Sequence, residues 1–141
     1  MKYKEWFDSH AKKHKKIVEK LIAKGFTDEE VIDYFEFSNM AENEKEFCPL
    51  YAQNKKCHDI PYLSCYFCAC PHFRFKDSGI KNIDTSTQYS YCSIESKDGK
   101  QVKYSDAIHQ DCSSCIVPHT KKYVMQNFSF DWKEAMKECE L

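Results

Sequence analysis

The sequence predicts a small α+β protein: an N-terminal helical hairpin, then an irregular cysteine-rich domain carrying a short β-hairpin, then a C-terminal helix. Three observations predict it. Residues 1–47 lack cysteine and carry apolar residues at helical spacing. Eight of the nine cysteines fall between Cys48 and Cys115. Only two short stretches, Gln88–Ile94 and Gln101–Tyr104, alternate as strands do. At 141 residues, 42% apolar and 15% aromatic, the chain suffices for one domain with a modest core. Its three glycines and four prolines argue against long disordered linkers. The segments are 1–47 (helical hairpin), 48–125 (cysteine-rich domain) and 126–141 (C-terminal helix).

From Tyr3 to Lys24, Phe7, Ala11, Val18, Leu21 and Ile22 mark one face of a first helix, and Gly25 is its C′ stop. Thr27-Asp28-Glu29-Glu30 is a T-x-x-E capping box, which predicts the start of a second helix. Val31, Ile32, Tyr34, Phe35 and Phe37 supply its buried side, and the short gap makes the pair a hairpin. Residues 1–25 hold eight lysines against three acids, and residues 26–47 hold eight acids against one lysine. Antiparallel packing brings these charges together, although each exposed pair adds only ~0.2–1 kcal/mol. Further on, Lys97-Asp98-Gly99-Lys100 is a D-G turn signal that predicts a β-hairpin between the two alternating stretches, delivering Cys92 toward the other cysteines. Asp131 is placed to cap a last helix, Trp132–Glu140, with Trp132, Ala135, Met136 and Cys139 on one face. Cys139 reads as a packed thiol on that helix.

The remaining cysteines form motifs. Cys65/Cys68 and Cys112/Cys115 are C-x2-C pairs, Cys68/Cys70 is a C-x-C pair, and Cys48, Cys57 and Cys92 stand singly. His58 follows Cys57, His72 lies two residues past Cys70, and His119 four past Cys115. Eight thiols make two four-ligand sets, and C-x2-C brings two sulfurs onto one ion from a single turn. The rival is a disulfide framework. The N-terminus MKYKEWFDSHAKKHKK has no apolar stretch after its lysines, so it does not read as a secretory signal, and no run approaches the ~18 apolar residues of a membrane span. A cytoplasmic location with reduced thiols follows as the expectation, and dense cysteines there point to metal. A covalent catalytic cysteine needs one thiol with a histidine partner, not eight in a row.

Charge narrows the partners. The formal net charge is −1 with neutral thiols, and an all-thiolate site holding a divalent ion adds about −2 more. Nucleic-acid binding usually shows a basic footprint, so none is expected. The run Lys12-Lys13-His14-Lys15-Lys16 reads as a solvated helix face. A helix-turn-helix reader would use residues 28–39, which carry five acids and no base, and phosphates would repel it. No membrane contact is expected, and a protein partner is.

The string Cys57-His58, Leu63-Ser64-Cys65-Tyr66-Phe67-Cys68-Ala69-Cys70-Pro71, Asp111-Cys112-Ser113-Ser114-Cys115 and Pro118-His119 resembles the cysteine-rich small domain family of prokaryotes. That family is zinc-finger-like and described as metal-binding, and the likeness covers about half the chain. Ser64 stands where the family usually has asparagine, and Cys92 is followed by Ser93-Ile94 where Gly-Gly is frequent. The resemblance implies metal binding and no particular activity.

A metal-stabilised domain is therefore expected, with Cys48, Cys57, His58, Cys65, Cys68, Cys70, Cys92, Cys112, Cys115 and His119 as the candidate ligands. Two Zn2+ ions are favoured by even sets of four thiolates and the C-x2-C knuckles. A 4Fe-4S cluster is the alternative, supported by Cys70-Pro71 and by Tyr66, Phe67, Phe73 and Phe75 as shielding, but the C-x2-C-x2-C run is absent. The expected partition is Cys65, Cys68, Cys112 and Cys115 for one site, and Cys48, Cys57, Cys70 and Cys92 for the other. His58 and His119 are alternative ligands or structural histidines; His72 is expected in aromatic packing, and His10, His14 and His109 on the surface. The functional expectations are, in order, a metal-held accessory domain, an iron–sulfur redox protein, and a metal-dependent enzyme using His58 or His119 with Asp111 as base. No phosphate loop, nucleotide fingerprint or triad supports the last.

Overall fold

Helix α1, Tyr3–Ala23, ends where the periodicity predicts, at Lys24 and Gly25. Gly25 adopts φ +82°, a left-handed value that favours glycine, and the Phe26 N–H turns back to the Leu21 carbonyl. Thr27 then caps helix α2, Asp28–Tyr34, with both arms of the capping box formed. The computed structural model describes residues 2–141.

The second expected helix is interrupted. Phe35–Phe37 leaves the helical path because it pairs with a distant segment: the Phe37 N–H donates to Leu63 O and the Cys65 N–H to Phe35 O, both at 2.8 Å. Glu36 thus bridges Ser64 in an antiparallel step, and helix α3, Phe37–Asn43, starts anew. This splice ties the helical arm to the Cys65–Cys68 turn. The charge expectation is met only in part. Lys20 of α1 pairs with Glu44, but Glu29 and Asp33 of α2 pair with Lys121 of helix α4, Lys121–Gln126.

The mixed class is α+β, with two small sheets among the described residues. Strand β1, Phe73–Phe75, pairs antiparallel with β4, Ser90–Cys92, placing Phe73 opposite Cys92. The second sheet has the order β2-β3-β6-β5, from β2 (Lys81–Ile83), β3 (Ser86–Gln88), β5 (Lys100–Tyr104) and β6 (Ala107–Asp111). Strand β5 pairs antiparallel with β6, and β3 pairs parallel with β6. The hairpin expected across Lys97–Lys100 does not form. A turn closes there through Gly99 N–H to Ser96 O, but β5 pairs forward across Ser105-Asp106, where Ser105 takes φ +58°. The C-terminal helix α5 is also shorter than expected, Trp132–Ala135, with Asp131 capping it as the sequence indicates.

One apolar cluster runs through all three sequence segments, joining Val18 and Leu21 of α1, Phe35, Tyr66 and Phe67, Phe75, and Trp132 and Met136. Each side chain buried to this degree contributes about 1.5–3 kcal/mol. His10 and His14 correct the surface expectation: both are buried on the inner face of α1, among Trp132, Phe47, Phe35 and Tyr66. A helical wheel of lysines hid them, since α1 alternates charged and apolar faces and both histidines fall on the apolar one. His109 is half-buried, accepting from or donating to the Tyr3 hydroxyl at 2.6 Å and stacked on Tyr89.

Candidate metal centre

All nine cysteines are free, so no disulfide framework exists. The eight motif thiols fall into two neighbourhoods, and the split differs from the expected one. Cys68 lies beside Cys65 and close enough to Cys57 and Cys48 to feel their charge. Cys70 instead faces Cys112, Cys92 and Cys115. The backbone explains why residues two apart part company. Ala69 and Cys70 adopt φ +86° and +69°, two successive left-handed residues that reverse the chain inside the C-x-C motif. The first quartet is therefore Cys48, Cys57, Cys65 and Cys68, and the second Cys70, Cys92, Cys112 and Cys115. The two C-x2-C pairs do not meet at one point.

Local turns position the sulfurs. Cys70 N–H donates to Phe67 O at 2.9 Å and Cys115 N–H to Cys112 O at 3.0 Å, closing one knuckle in each quartet's vicinity. The His72 N–H points to Cys70 Sγ at 3.5 Å, and Ser96 Oγ lies 3.2 Å from Cys115 Sγ. Cys92 closes β4, and Cys48 precedes a 3-10 helix, Pro49–Gln53. As bare thiols Cys57, Cys68, Cys70 and Cys112 resist ionisation. Burial first, then neighbouring sulfurs, pushes Cys57 up to about 11, and burial pushes Cys70 to about 12 and Cys112 to about 11. Cys68, hydrogen-bonded to Cys65 and buried, is raised well above the usual thiol range, whereas that same bond lowers Cys65. A positive charge such as a metal ion's would draw these raised thiols into thiolates.

Among the described residues, one set of donors closes tightly. Cys57, His58 and His119 place their ligand atoms within 4.8 Å of one another. His58 Nδ1 is 3.1 Å from Cys57 Sγ, its Nε2 is 3.1 Å from Cys112 O, and its ring sits 4.5 Å from that of His119. His58 thus bridges the two quartets. His72 takes no place in either: its Nε2 meets the Tyr123 hydroxyl at 3.0 Å, as its aromatic neighbours predicted. Asp111 is held by Ser113, whose hydroxyl and N–H, the latter at 2.9 Å, lower its carboxyl pKa. Cys139 is fully buried, with its Sγ 3.8 Å from Met136 Sδ.

Two features escaped the sequence. A cavity of about 400 Å3 lies against the second quartet, walled by Trp6, Phe7, Phe73 and Ile94 and reached by His58 and His119. Tyr51, buried beside Cys65, Cys68 and Cys48, leaves its hydroxyl with no oxygen or nitrogen partner among the described residues. A metal-bound thiolate would accept that proton, so the first quartet fits a thiolate-held ion chemically. Nothing in the spacing around Leu50-Tyr51 signals this. No protein-family model, curated protein or solved structure matches the chain.

Proposed function

We propose that this chain is a metal-binding protein whose two thiolate quartets each hold an ion, zinc for preference, and so stabilise a small domain that serves a protein partner. The observation that carries it is the sorting of eight motif cysteines into two four-sulfur neighbourhoods, all unpaired. Cys48, Cys57, Cys65 and Cys68 would hold one ion, and Cys70, Cys92, Cys112 and Cys115 the other. A closed thiolate set supplies folding free energy, on the order of 10 kcal/mol for structural zinc. The likeness to the cysteine-rich small domain family supports the same class. Reduced thiols suit the cytoplasm. No helix of the described residues is long and apolar enough to cross a membrane. The partner is a protein because thiolate sites leave the molecule acidic, which disfavours nucleic acid.

A second reading, an iron–sulfur redox protein, is favoured by one observation. Among the described residues, no three of the eight sulfurs lie within 4.8 Å of one another. A single zinc ion with bonds of about 2.3 Å needs sulfurs about 3.8 Å apart, whereas a cluster spans a wider cage. Elemental analysis and an optical spectrum on protein purified without oxygen decide between them. Colourless protein with at least two zinc ions per chain supports the first reading. Brown protein carrying iron and sulfide supports the second, and folded protein free of metal removes both.

A further inference from the structure

Two imidazoles remain outside the quartets, and their hydrogen bonds are not those of ordinary packing. We propose that Cys57, His58 and His119 hold a third divalent ion at a three-donor site whose open fourth position faces the apolar cavity and accepts a neutral nitrogen or sulfur donor borne by a small apolar molecule. The proposal rests on the metal-binding reading above.

The tautomers carry it. A backbone carbonyl only accepts, so His58 Nε2, 3.1 Å from Cys112 O, bears the hydrogen. Nδ1 then holds a lone pair, directed at Cys57 Sγ 3.1 Å away. His119 is fixed the other way round: Nδ1 donates to Ser64 O at 2.9 Å, which leaves the lone pair on Nε2. That Nε2 makes no hydrogen bond among the described residues. Both rings are thus locked by carbonyls with one nitrogen each left to give, the arrangement that orients histidine on a metal. One donor atom from each of Cys57, His58 and His119 lies within 4.8 Å of the other two, and the lone pair of His58 Nδ1 already faces the Cys57 sulfur. Bonds of about 2.0–2.3 Å to one ion need only a modest inward shift. The Cys57 residue lies at the surface, where its side chain has room for such a shift. Its sulfur also neighbours Cys65 and Cys48, so the thiolate bridges this ion to the first quartet.

Three protein donors leave one coordination position, the feature that separates reactive from structural sites. His58 and His119 line the cavity of about 400 Å3, with Trp6, Phe7, Phe73 and Val117 among its walls. Those walls favour an apolar body. The second quartet lines the same cavity, and its thiolates set a negative potential there that excludes anions. A neutral donor on a small apolar molecule is what remains.

The test uses the full chain, stripped of metal and titrated anaerobically with cobalt(II). The expected result is three cobalt ions per chain for the wild type and two for His58→Ala and for His119→Gln, with sulfur-to-cobalt charge-transfer bands kept in both variants. Adding 4-phenylimidazole shifts the cobalt d–d bands of the wild type and leaves those of the variants unchanged; benzene shifts neither. Circular dichroism checks each fold, and the partly exposed His58 gives the variant least able to disturb it. Two cobalt ions in all three proteins overturn the third site while leaving the quartets standing. Three ions with no shift by 4-phenylimidazole overturn the open position. A chain that takes up no cobalt overturns the metal-binding reading itself.

Discussion

His14 Nε2 lies 3.0 Å from the backbone oxygen of Tyr66, and through this bond the middle of α1 holds the turn that carries Cys65 and Cys68. The ring is stacked on Phe35 at 4.7 Å and meets Tyr66 edge-on at 4.5 Å. Among the described residues its Nδ1 has no partner, nor has Nε2 of His10 one turn earlier. Two neutral imidazoles therefore sit in the aromatic core with polar atoms unanswered, a cost of about 1–3 kcal/mol each when a group is buried without a partner.

Replacing His14 by alanine removes the bond to Tyr66 and opens a hole between Phe35 and Tyr66. The expected loss is about 3 kcal/mol, within the range of large-to-small core changes. His14→Leu, which also deletes the unpartnered Nδ1, should cost markedly less. Urea midpoints at constant m-value measure both. Equal losses for the two variants would show that the cavity is not the main cost.

Stability should also fall with acid. Burial lowers His10 to about 4 and His14 to about 3, from an ordinary 6.5. The unfolded chain takes up protons as pH drops below about 6.5, while the folded chain refuses them until about pH 4 and 3. Above 6.5 neither histidine contributes a pH dependence. Between 6.5 and 4 each removes up to about 1.4 kcal/mol per pH unit. Proton competition for thiolates acts over a similar range, so the informative comparison is wild type against His10→Phe, both saturated with zinc. The variant should show a shallower decline from pH 7 to 4.5, and identical slopes would sink the idea of a buried neutral His10.

The local signals were readable and the non-local ones were not. Gly25, the Thr27–Glu30 box and Asp131 act within a few residues, and each sits where its chemistry required. The break at Phe35–Phe37 depends on pairing with Leu63–Cys65, nearly thirty residues on, which no periodicity of the first segment encodes. The Asp98-Gly99 turn formed without its hairpin, because β6 offered β5 a longer antiparallel partner. At the candidate site the sequence supplied the donors but not their grouping. Two successive left-handed residues at Ala69 and Cys70 decide which quartet each sulfur joins, and neither is a glycine that would have announced the reversal.

Cysteine substitutions should divide sharply. Cys139→Ser should leave the metal content intact and cost about 1 kcal/mol, because the more polar hydroxyl replaces a fully buried thiol packed against Met136 but keeps the Cys70 and Pro71 carbonyls, 3.6 and 3.9 Å from the sulfur, as acceptors. Cys68→Ser should lose one ion per chain. Metal lost from Cys139→Ser at native fold would move that thiol into the centre.

Thr27→Ala isolates the helical arm. The Thr27 side chain accepts from Glu30 N–H at 3.3 Å and the Glu30 carboxylate from Thr27 N–H at 2.9 Å, which also lowers the Glu30 pKa. Losing the cap should cost about 1 kcal/mol without changing metal content. A thermal midpoint and a metal assay on the same sample suffice, and a drop in bound metal would mean the arm and the centre are coupled more tightly than through the core.

Removing metal tests how that coupling runs in the other direction. Cys65 belongs to the first quartet, and its own N–H donates to Phe35 O while Phe37 N–H donates to Leu63 O. If an ion holds Cys65 in place, a chelator frees not only residues 48–119 but also this splice into the helices. Amide exchange at Phe37 and Cys65 should then accelerate by orders of magnitude. Amides in the middle of α1, bonded only within their own helix, should follow with a smaller change, because the helix keeps its local bonds but loses part of its packing. Near-ultraviolet dichroism from the Phe35–Tyr66–Trp132 neighbourhood should fade in parallel. Unaltered exchange at Phe37 and Cys65 after complete metal removal would mean that the aromatic core alone supports the splice, and that the thiolate quartets add nothing to the fold.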